Sequence, residues 1–313
     1  MIKIQVILNP ASAAGRTGRN RAAILTAVER AIGPAFSLYE TRRPLDATAA
    51  ARSAVLAGAG LIVAVGGDGT IQEIINGMFE SGKPVRPDCE LGIIRAGTGC
   101  GFAESFGLPH GLEAQCAAIG NGAARTVDVG RAVFSRPANG PAERYFINEC
   151  QAGLGGEVVK KVHSGNKKLG GFLVFGLKTL AVSLTYPNRS MSVALDGGTP
   201  VSGSFIGIIA ANGSAMAGGM RLAPLAKIDD GLLDVLFMHG QPVRGRLNDF
   251  PKIYSGRHIG SPKFTYVRAR SVEIGSDEDV SFEADGELLG STPVRVEVLP
   301  AALRVRTGAA LKG

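Results

Sequence analysis

The stretch from Leu61 to Thr70 sets a run of apolar, partly β-branched residues directly against a glycine-rich turn, Gly66, Gly67, Asp68, Gly69 and Thr70, which holds one carboxylate and one hydroxyl. Ile71 to Phe79 follows with apolar residues at helical spacing. The pattern predicts a buried strand, a tight turn and a helix. Glycine lets the backbone turn sharply and approach a ligand with no Cβ in the way, so glycines around Asp68 point bare amides at an anion, and phosphate is the usual anion. The same residues could also be a plain strand-to-helix connection with Asp68 or Thr70 as a helix cap. Leu91 to Ile94 runs in the same manner into Arg95, Ala96, Gly97, Thr98 and Gly99, which makes a second phosphate-facing loop plausible.

Such loops need a sheet to carry them. Ile2 to Leu8 reads as a strand broken by Asn9 and Pro10 ahead of a small-residue loop, Ala11 to Gly18. Arg19 to Ile32 reads as a helix, Phe36 to Glu40 as a strand, Thr41 to Pro44 as a turn, and Ala47 to Ala57 as a helix of small residues. Strands alternating with helices of this length predict right-handed βαβ units and a parallel sheet, whose ligands sit at the carboxyl ends of the strands. The loops at Asn9, Thr41 and Gly66 are all such ends. Past a helix around Gln115 to Ile119, the character changes near Arg125 to Gly130. Short alternating runs with Gly, Pro and Asn turns follow at Arg144 to Asn148, Ser190 to Leu195, Ser204 to Ala210, Leu232 to Met238, Ser271 to Ile274 and Val294 to Val298. They predict a β-rich second domain, read as a sandwich. The expected division is an α/β domain over residues 1–128, rejoined by a tail at 300–313, and a β domain over 129–299.

With 45% hydrophobic residues in a chain of 313, a proper core can be buried. The 44 glycines show no Gly-X-Y period, so they read as turns and close approaches rather than linkers. No internal repeat and no signal peptide is visible. Cys89, Cys100, Cys116 and Cys150 lack Cys-x-x-Cys spacing, which suggests reduced, mostly buried thiols in a cytoplasmic protein. The histidines are equally scattered, and no zinc site is expected. Net charge is +7; residues 1–130 carry 12 Lys and Arg against 11 Asp and Glu, whereas residues 131–313 carry 22 against 16. The excess concentrates in Lys160, Lys161, Lys167, Lys168 and Lys178, with His163 among them. A lysine run is commonly only a solvated face. The sharper reading is a peripheral visit to an anionic membrane, at ~1 kcal/mol per lysine near the lipid plane. Gly171 to Leu184 is apolar yet too short and interrupted to cross a bilayer of ~30 Å, so it reads as a core helix or as one lining an acyl-chain pocket.

Taken together, Asn9 and Pro10, Gly66 to Thr70, Gly97 and Thr98, Asp128 and Gly130, Leu222 to Pro224 with Asp230 to Asp234, and Asp285, Gly286 and Glu287 stand in the order and approximate spacing of the diacylglycerol kinase catalytic family. That family includes the soluble bacterial lipid kinases and the sphingosine and ceramide kinases, and the resemblance covers nearly the whole chain. It implies an N-terminal nucleotide-binding parallel-sheet domain, similar to NAD kinases and diacylglycerol kinases, a C-terminal β-sandwich domain for the lipid, and an ATP site in the cleft between them. Carried over residue by residue, Asn9, Thr41, the run Gly66, Gly67, Asp68, Gly69, Thr70, Ile71 and Gln72, and Gly97 and Thr98 resemble the ATP-contacting positions. Glu287 is similar to the family's proton acceptor. The loop Lys227 to Leu232 resembles its Mg²⁺ site, with the Asp230 carboxylate and the backbone carbonyls of Lys227 and Leu232 as ligands.

Those assignments suit phosphoryl transfer, which needs positioning and charge stabilisation, with amides and Mg²⁺ on the phosphates and a carboxylate near the acceptor hydroxyl. Asp68 would orient the metal-bound triphosphate or the acceptor hydroxyl, Glu287 would take the hydroxyl proton, and Asp128 would support the site. Plainer readings exist for each. Asp230 and Asp234 could build a turn, Asp285 and Gly286 are a hairpin signal, Glu287 could be an exposed strand residue, and Asn148 and Asn212 could be structural. Cys100 and Gly101 stand where many members have Asn and Asp, which bears on nucleotide preference or lipid class. The expected activity is an ATP-dependent lipid kinase acting on a diacylglycerol-like, sphingoid or ceramide lipid, cytoplasmic and peripherally bound to the inner face of the membrane. No nucleic-acid partner is expected, and strand edges allow pairing into a homodimer. The alternatives are an NAD kinase and a catalytically silent lipid-binding regulatory protein.

Overall fold

A computed structural model describes residues 2–96, 101–136, 140–163, 172–214 and 219–308. Gly97, Thr98 and Cys100, and with them Lys167 and Lys168, lie outside the described residues. The chain divides into one unit of residues 1–129 and 300–313 and a second of residues 130–299.

In the first unit, the strands Ser37–Glu40, Ile4–Leu8, Leu61–Gly66 and Glu90–Arg95 lie side by side in that order, all parallel, and Arg304 and Val305 extend the sheet beyond Glu90 and Leu91. Every residue of Leu61–Gly66 is buried, as expected of a parallel strand covered on both faces. Period-two alternation sends Val6, Leu8, Leu61, Val63 and Val65 to one face, where they pack with Ile24, Ala27 and Val28 of the helix Arg21–Ile32 and with Cys116 and Ile119 of Leu112–Gly120. The helices Asp46–Leu56 and Asp68–Met78 pack against each other, tied by Thr48 Oγ1 donating to the Glu73 carbonyl at 3.0 Å. The expected helix Arg19 to Ile32 is split at Asn20, with Arg16–Arg19 as a separate short turn of helix.

The last strand, Val294–Arg306, belongs to both units. Glu90 receives Arg304 Nη2 at 2.8 Å and Arg306 Nε at 2.6 Å, which fixes that strand at the sheet edge. Where the strand passes Ala301, φ is 49°, and Asp128 Oδ1 accepts the Ala301 N–H at 2.7 Å. Asp128 thus holds a kinked backbone.

The second unit is antiparallel. Glu287–Ser291, Ser281–Ala284, Glu149–Gly153, Val201–Ala211, Arg189–Leu195, Ser271–Gly275 and the start of Val294–Arg306 pair successively, and Leu233–His239 joins the other edge of Val201–Ala211 and leads to Phe264–Ala269. One core lies among Phe146, Cys150, Phe205, Ile208, Val235, Val272, Phe282 and Val296. On the opposite face, Ile206, Ile209, Leu236 and Met238 pack under the helices Leu154–His163, Phe172–Thr185 and Val243–Ser255. The apolar segment expected at Gly171 to Leu184 forms the second of these. Val182 enters the core, Thr179 and Ser183 line a cavity, and Leu177 faces outward.

Candidate active site

Strand order decides where the first unit can bind a ligand. From Ile4–Leu8 the chain moves outward to Ser37–Glu40 and then crosses back to Leu61–Gly66 on the other side. The connections therefore leave the carboxyl ends of two neighbouring strands in opposite directions, which opens a crevice there. Asn9 follows one strand and the Gly66 to Thr70 turn ends the other. Asn9 N–H donates to the Val65 carbonyl at 2.9 Å, Asn9 Nδ2 donates to Thr70 Oγ1 at 2.9 Å, and Asn9 Oδ1 accepts the Ala11 N–H at 3.0 Å. Thr41 N–H donates to the Leu8 carbonyl at 2.9 Å, one residue before Asn9. Asn9, Thr41 and the Gly66 to Thr70 turn, widely separated in sequence, are brought together, while Ile71 and Gln72 turn inward and are buried.

Gly66 is required by that packing. A Cβ there would lie 2.6 Å from Thr70 Cβ and Oγ1. Gly66→Ala is accordingly expected to push Thr70 off Asn9 and, on the nucleotide role proposed below, to raise KM for ATP by roughly tenfold or more, the equivalent of ~1.4 kcal/mol, measured by steady-state kinetics.

Asp68 opens the helix Asp68–Met78, and its Oδ2 accepts the Gly101 N–H at 3.1 Å, at the start of the helix Gly101–Ser105. Oδ1 makes no well-formed hydrogen bond among the described residues. Burial raises the Asp68 pKa above the usual carboxylate range, opposed by the amides of Gly101 and Phe102 and the charge of Arg95. One oxygen is thus committed to the protein and the other is buried, and a backbone amide, that of Gly101, is what holds Asp68.

In the second unit, Asp285 and Gly286 form the turn between Ser281–Ala284 and Glu287–Ser291, with φ of 47° and 81°. The Asp285 carboxylate accepts the N–H groups of Ile147, Asn148 and Glu149 at 2.7, 2.9 and 3.2 Å. Asn212 donates Nδ2 to the Ile147 carbonyl at 2.8 Å and its N–H to the Asn148 carbonyl at 2.7 Å. Asn148 and Asn212 thus build the same anchor. Glu287, on the turn so anchored, is half-exposed and ion-paired with Arg144. Sequence reasoning missed Arg144: a partner 143 residues away leaves no local signal.

The loop Lys227 to Leu232 is pinned by buried Ile228, and Asp230 Oδ1 accepts the Leu232 N–H at 3.2 Å. Arg268 Nη1 stands 3.9 Å from Asp230 Oδ2 and Arg268 Nε 3.3 Å from Asp234 Oδ1. Asp234 is fully buried; burial raises its pKa, against the pull of Tyr266 and Arg268. One carboxylate with two backbone carbonyls is a hard-oxygen set of the sort Mg²⁺ takes while keeping several waters, so the residues fit that ion, which would compete with Arg268 for Asp230. Among the described residues, no group of three or more His, Cys, Asp and Glu could hold a metal by itself. Glu287 and Asp230 are engaged by different arginines.

A narrow apolar cavity of about 60 Å³ lies within the second unit, between the sheet and its covering helices. Leu154, Val158, Ile209, Met220 and Ile253 line it, with Gln151 also on its wall. Cys89, Cys116 and Cys150 are free and buried, and burial raises all three thiol pKa values, Cys116 to about 11, which leaves them poor nucleophiles. No described helix is long and apolar enough to cross a membrane.

A parallel nucleotide-binding-type sheet followed by a helix-covered antiparallel sheet is the architecture of the NAD kinase and diacylglycerol kinase class. Residues 3–132 match the diacylglycerol kinase catalytic domain and residues 149–307 the YegS C-terminal NAD kinase beta sandwich-like domain. The diacylglycerol kinase of Bacillus subtilis strain 168 is 30% identical over 299 residues, covering 94% of this chain and 92% of its own. That of Staphylococcus carnosus strain TM300 is 28% identical, covering 97% and 95%. A diacylglycerol kinase structure from Bacillus anthracis Sterne superposes with a TM-score of 0.71 at 22% identity, covering 99% of this chain and 98% of that one. The NAD kinase of Archaeoglobus fulgidus in complex with ATP reaches 0.52 at 14%, covering 97% and 93%; these two likenesses concern the fold. The chain belongs to the diacylglycerol kinase catalytic domain family. It is a kinase with an alcohol group as acceptor.

Proposed function

We propose that the protein transfers the γ-phosphoryl group of ATP to the hydroxyl of a diacylglycerol-like lipid, with a sphingoid base or ceramide as the other acceptor class. The observation that carries the nucleotide half is the crevice at the strand crossing, where Asn9 is hydrogen-bonded to Thr70 beside the glycine turn. Asn9, Thr41, Gly66 to Gln72, Gly97 and Thr98 would contact the triphosphate through amides and hydroxyls, with Asp68 orienting it. Mg²⁺, held by Asp230 and the carbonyls of Lys227 and Leu232, would supply charge neutralisation on the phosphates. Glu287 accepts the proton as the acceptor oxygen bonds to the γ-phosphorus, and the bond to the β-phosphate oxygen breaks to release ADP.

The cavity under the helices of the second unit supports an acyl chain as part of the acceptor. At about 60 Å³ it holds only a few methylenes, so filling it requires Phe172–Thr185 and Val243–Ser255 to move outward. Attachment to an anionic membrane is supported by exposed Leu177, Val243 and Leu247 on two helices that pack together, and by exposed Lys160 and Lys161.

Incubation with labelled ATP, Mg²⁺ and a panel of diacylglycerol, monoacylglycerol, sphingosine, ceramide and NAD tests the reading; transfer to NAD alone would overturn it. Asn9→Ala should raise KM for ATP by roughly tenfold while the KM for lipid stays within a factor of two, because only the nucleotide crevice loses its tether. An unchanged KM for ATP would remove Asn9 from the nucleotide site.

A further inference from the structure

Arg144 is a cation in a core-facing slot. On Gly140–Phe146, which pairs with Ala124–Arg136 so that Ala132 stands opposite Arg144, period-two alternation puts Ala142, Arg144 and Phe146 on one face. Ala132 and Phe146 belong to the apolar core, and Ala142 packs against it. The other face of the strand carries Glu143 and Tyr145, and Glu143 is taken up there by Arg131 Nη2 and by the Tyr145 hydroxyl, each at 2.7 Å. Among the described residues, the carboxylate left to Arg144 is Glu287, whose Oε2 accepts from Arg144 Nη2.

The Arg144 side chain is 12% exposed against 36% for Glu287, so the arginine is the more firmly held of the two. Its Nε is buried without a well-formed hydrogen bond among the described residues. Stability does not account for this arrangement, because a buried cation with an unmatched N–H costs more than an apolar side chain of similar volume in the same slot. The same stretch of chain grips the turn a second time, through the N–H groups that Ile147, Asn148 and Glu149 donate to Asp285. Asp285 fixes where the backbone of the turn lies, whereas Arg144 acts on the Glu287 side chain. Glu287 opens the outer strand Glu287–Ser291, and its Oε1 accepts no hydrogen bond among the described residues.

Resting on the assignment of Glu287 as proton acceptor, we propose that Arg144 is a positioning residue: it holds Glu287 Oε2 so that the carboxylate keeps one orientation and presents Oε1 to the acceptor hydroxyl. A half-exposed glutamate left to itself samples several rotamers, and each one that turns Oε1 away takes the base out of reach of its proton. A planar guanidinium on a stem packed beside core residues restricts that sampling. Arg144 acts through Glu287 alone, so its loss belongs in kcat and not in the binding of either substrate.

The test is a kinetic double-mutant cycle on the full chain with ATP, Mg²⁺ and diacylglycerol in detergent micelles, or with whichever lipid of the panel above is turned over. Arg144→Ala should lower kcat by roughly ten- to a hundredfold while KM for ATP and for lipid each stay within about a factor of two, since a base that is present but misaimed loses part of its contribution. In the Glu287→Gln background the same substitution should change kcat by less than about twofold, because the group it aims is gone. Equal losses in both backgrounds, wild-type kcat in Arg144→Ala, or a loss expressed in KM alone would each overturn the proposal. If Arg144→Ala does not fold, Arg144→Gln, which fills much of the same space without the charge, is read in the same way. Near wild-type turnover in Glu287→Gln removes the reading on which the proposal rests. A slow Glu287→Gln beside an unaffected Arg144→Ala keeps that reading and removes Arg144 alone.

Discussion

With Glu287 as the proton acceptor proposed above, Glu287→Gln should lower kcat by roughly 10²- to 10⁴-fold, the usual contribution of a positioned general base, and leave the protein folded. The separation of the two effects follows from where Glu287 sits. Its side chain is 36% exposed and its partner is Arg144, and an ion pair at such a position contributes ~0–1 kcal/mol. Thermal unfolding of the variant should therefore overlay the wild type within a few degrees. Arg144→Ala provides the control, since it frees Glu287 without removing it. Near wild-type turnover in Glu287→Gln would show that the proton leaves by another route.

Asp285→Ala, two residues earlier, has the opposite profile and is the largest expected loss of stability. Ile147, Asn148 and Glu149 are buried, and all three donate backbone N–H groups to that carboxylate. Buried donors left without an acceptor cost ~1–3 kcal/mol each, so a loss of at least ~3 kcal/mol is expected in denaturant unfolding, with activity falling alongside. Asp285→Gly eases the positive φ of this residue yet removes the same acceptor, and should recover only a fraction. A loss below ~1 kcal/mol in Asp285→Ala would mean that water satisfies those amides. The pair of variants distinguishes the chemistry of Glu287 from the architecture that presents it.

The strand, glycine turn and helix around Gly66 to Thr70 could be read from sequence because everything that makes them is local. Leu61–Gly66, its turn and the helix Asp68–Met78 follow without a gap, and β-branched residues, glycines and helical spacing each leave a short-range signature. The second unit was legible only as scattered strands. The helix Val243–Ser255 contains Pro251, ordinarily a helix breaker, and Leu154–His163 begins with Gly155 and Gly156 in its first turn; tertiary packing overrides propensity in both. The expected strand Arg144 to Asn148 stops at Phe146, and Ile147 and Asn148 lie between Gly140–Phe146 and Glu149–Gly153, because they give their N–H groups to Asp285 instead of continuing a ladder. Arg144 acquires its importance from a side-chain ion pair with Glu287 across 143 residues, and such a contact is set by the fold rather than by spacing. Asp128 was placed for its motif; the structure adds the Ala301 contact that the motif alone does not reveal.

The strand Val294–Arg306 also bears on how the protein is made. Arg304 pairs with Glu90 across 214 residues, so the parallel sheet of the first unit is the first to be synthesised and among the last to be closed. At ribosomal speeds of ~5–20 residues per second, Glu90–Arg95 presents an open hydrogen-bonding edge for on the order of 10–40 s before its neighbour emerges. A nascent chain in that interval is exposed to edge-to-edge association with other nascent chains.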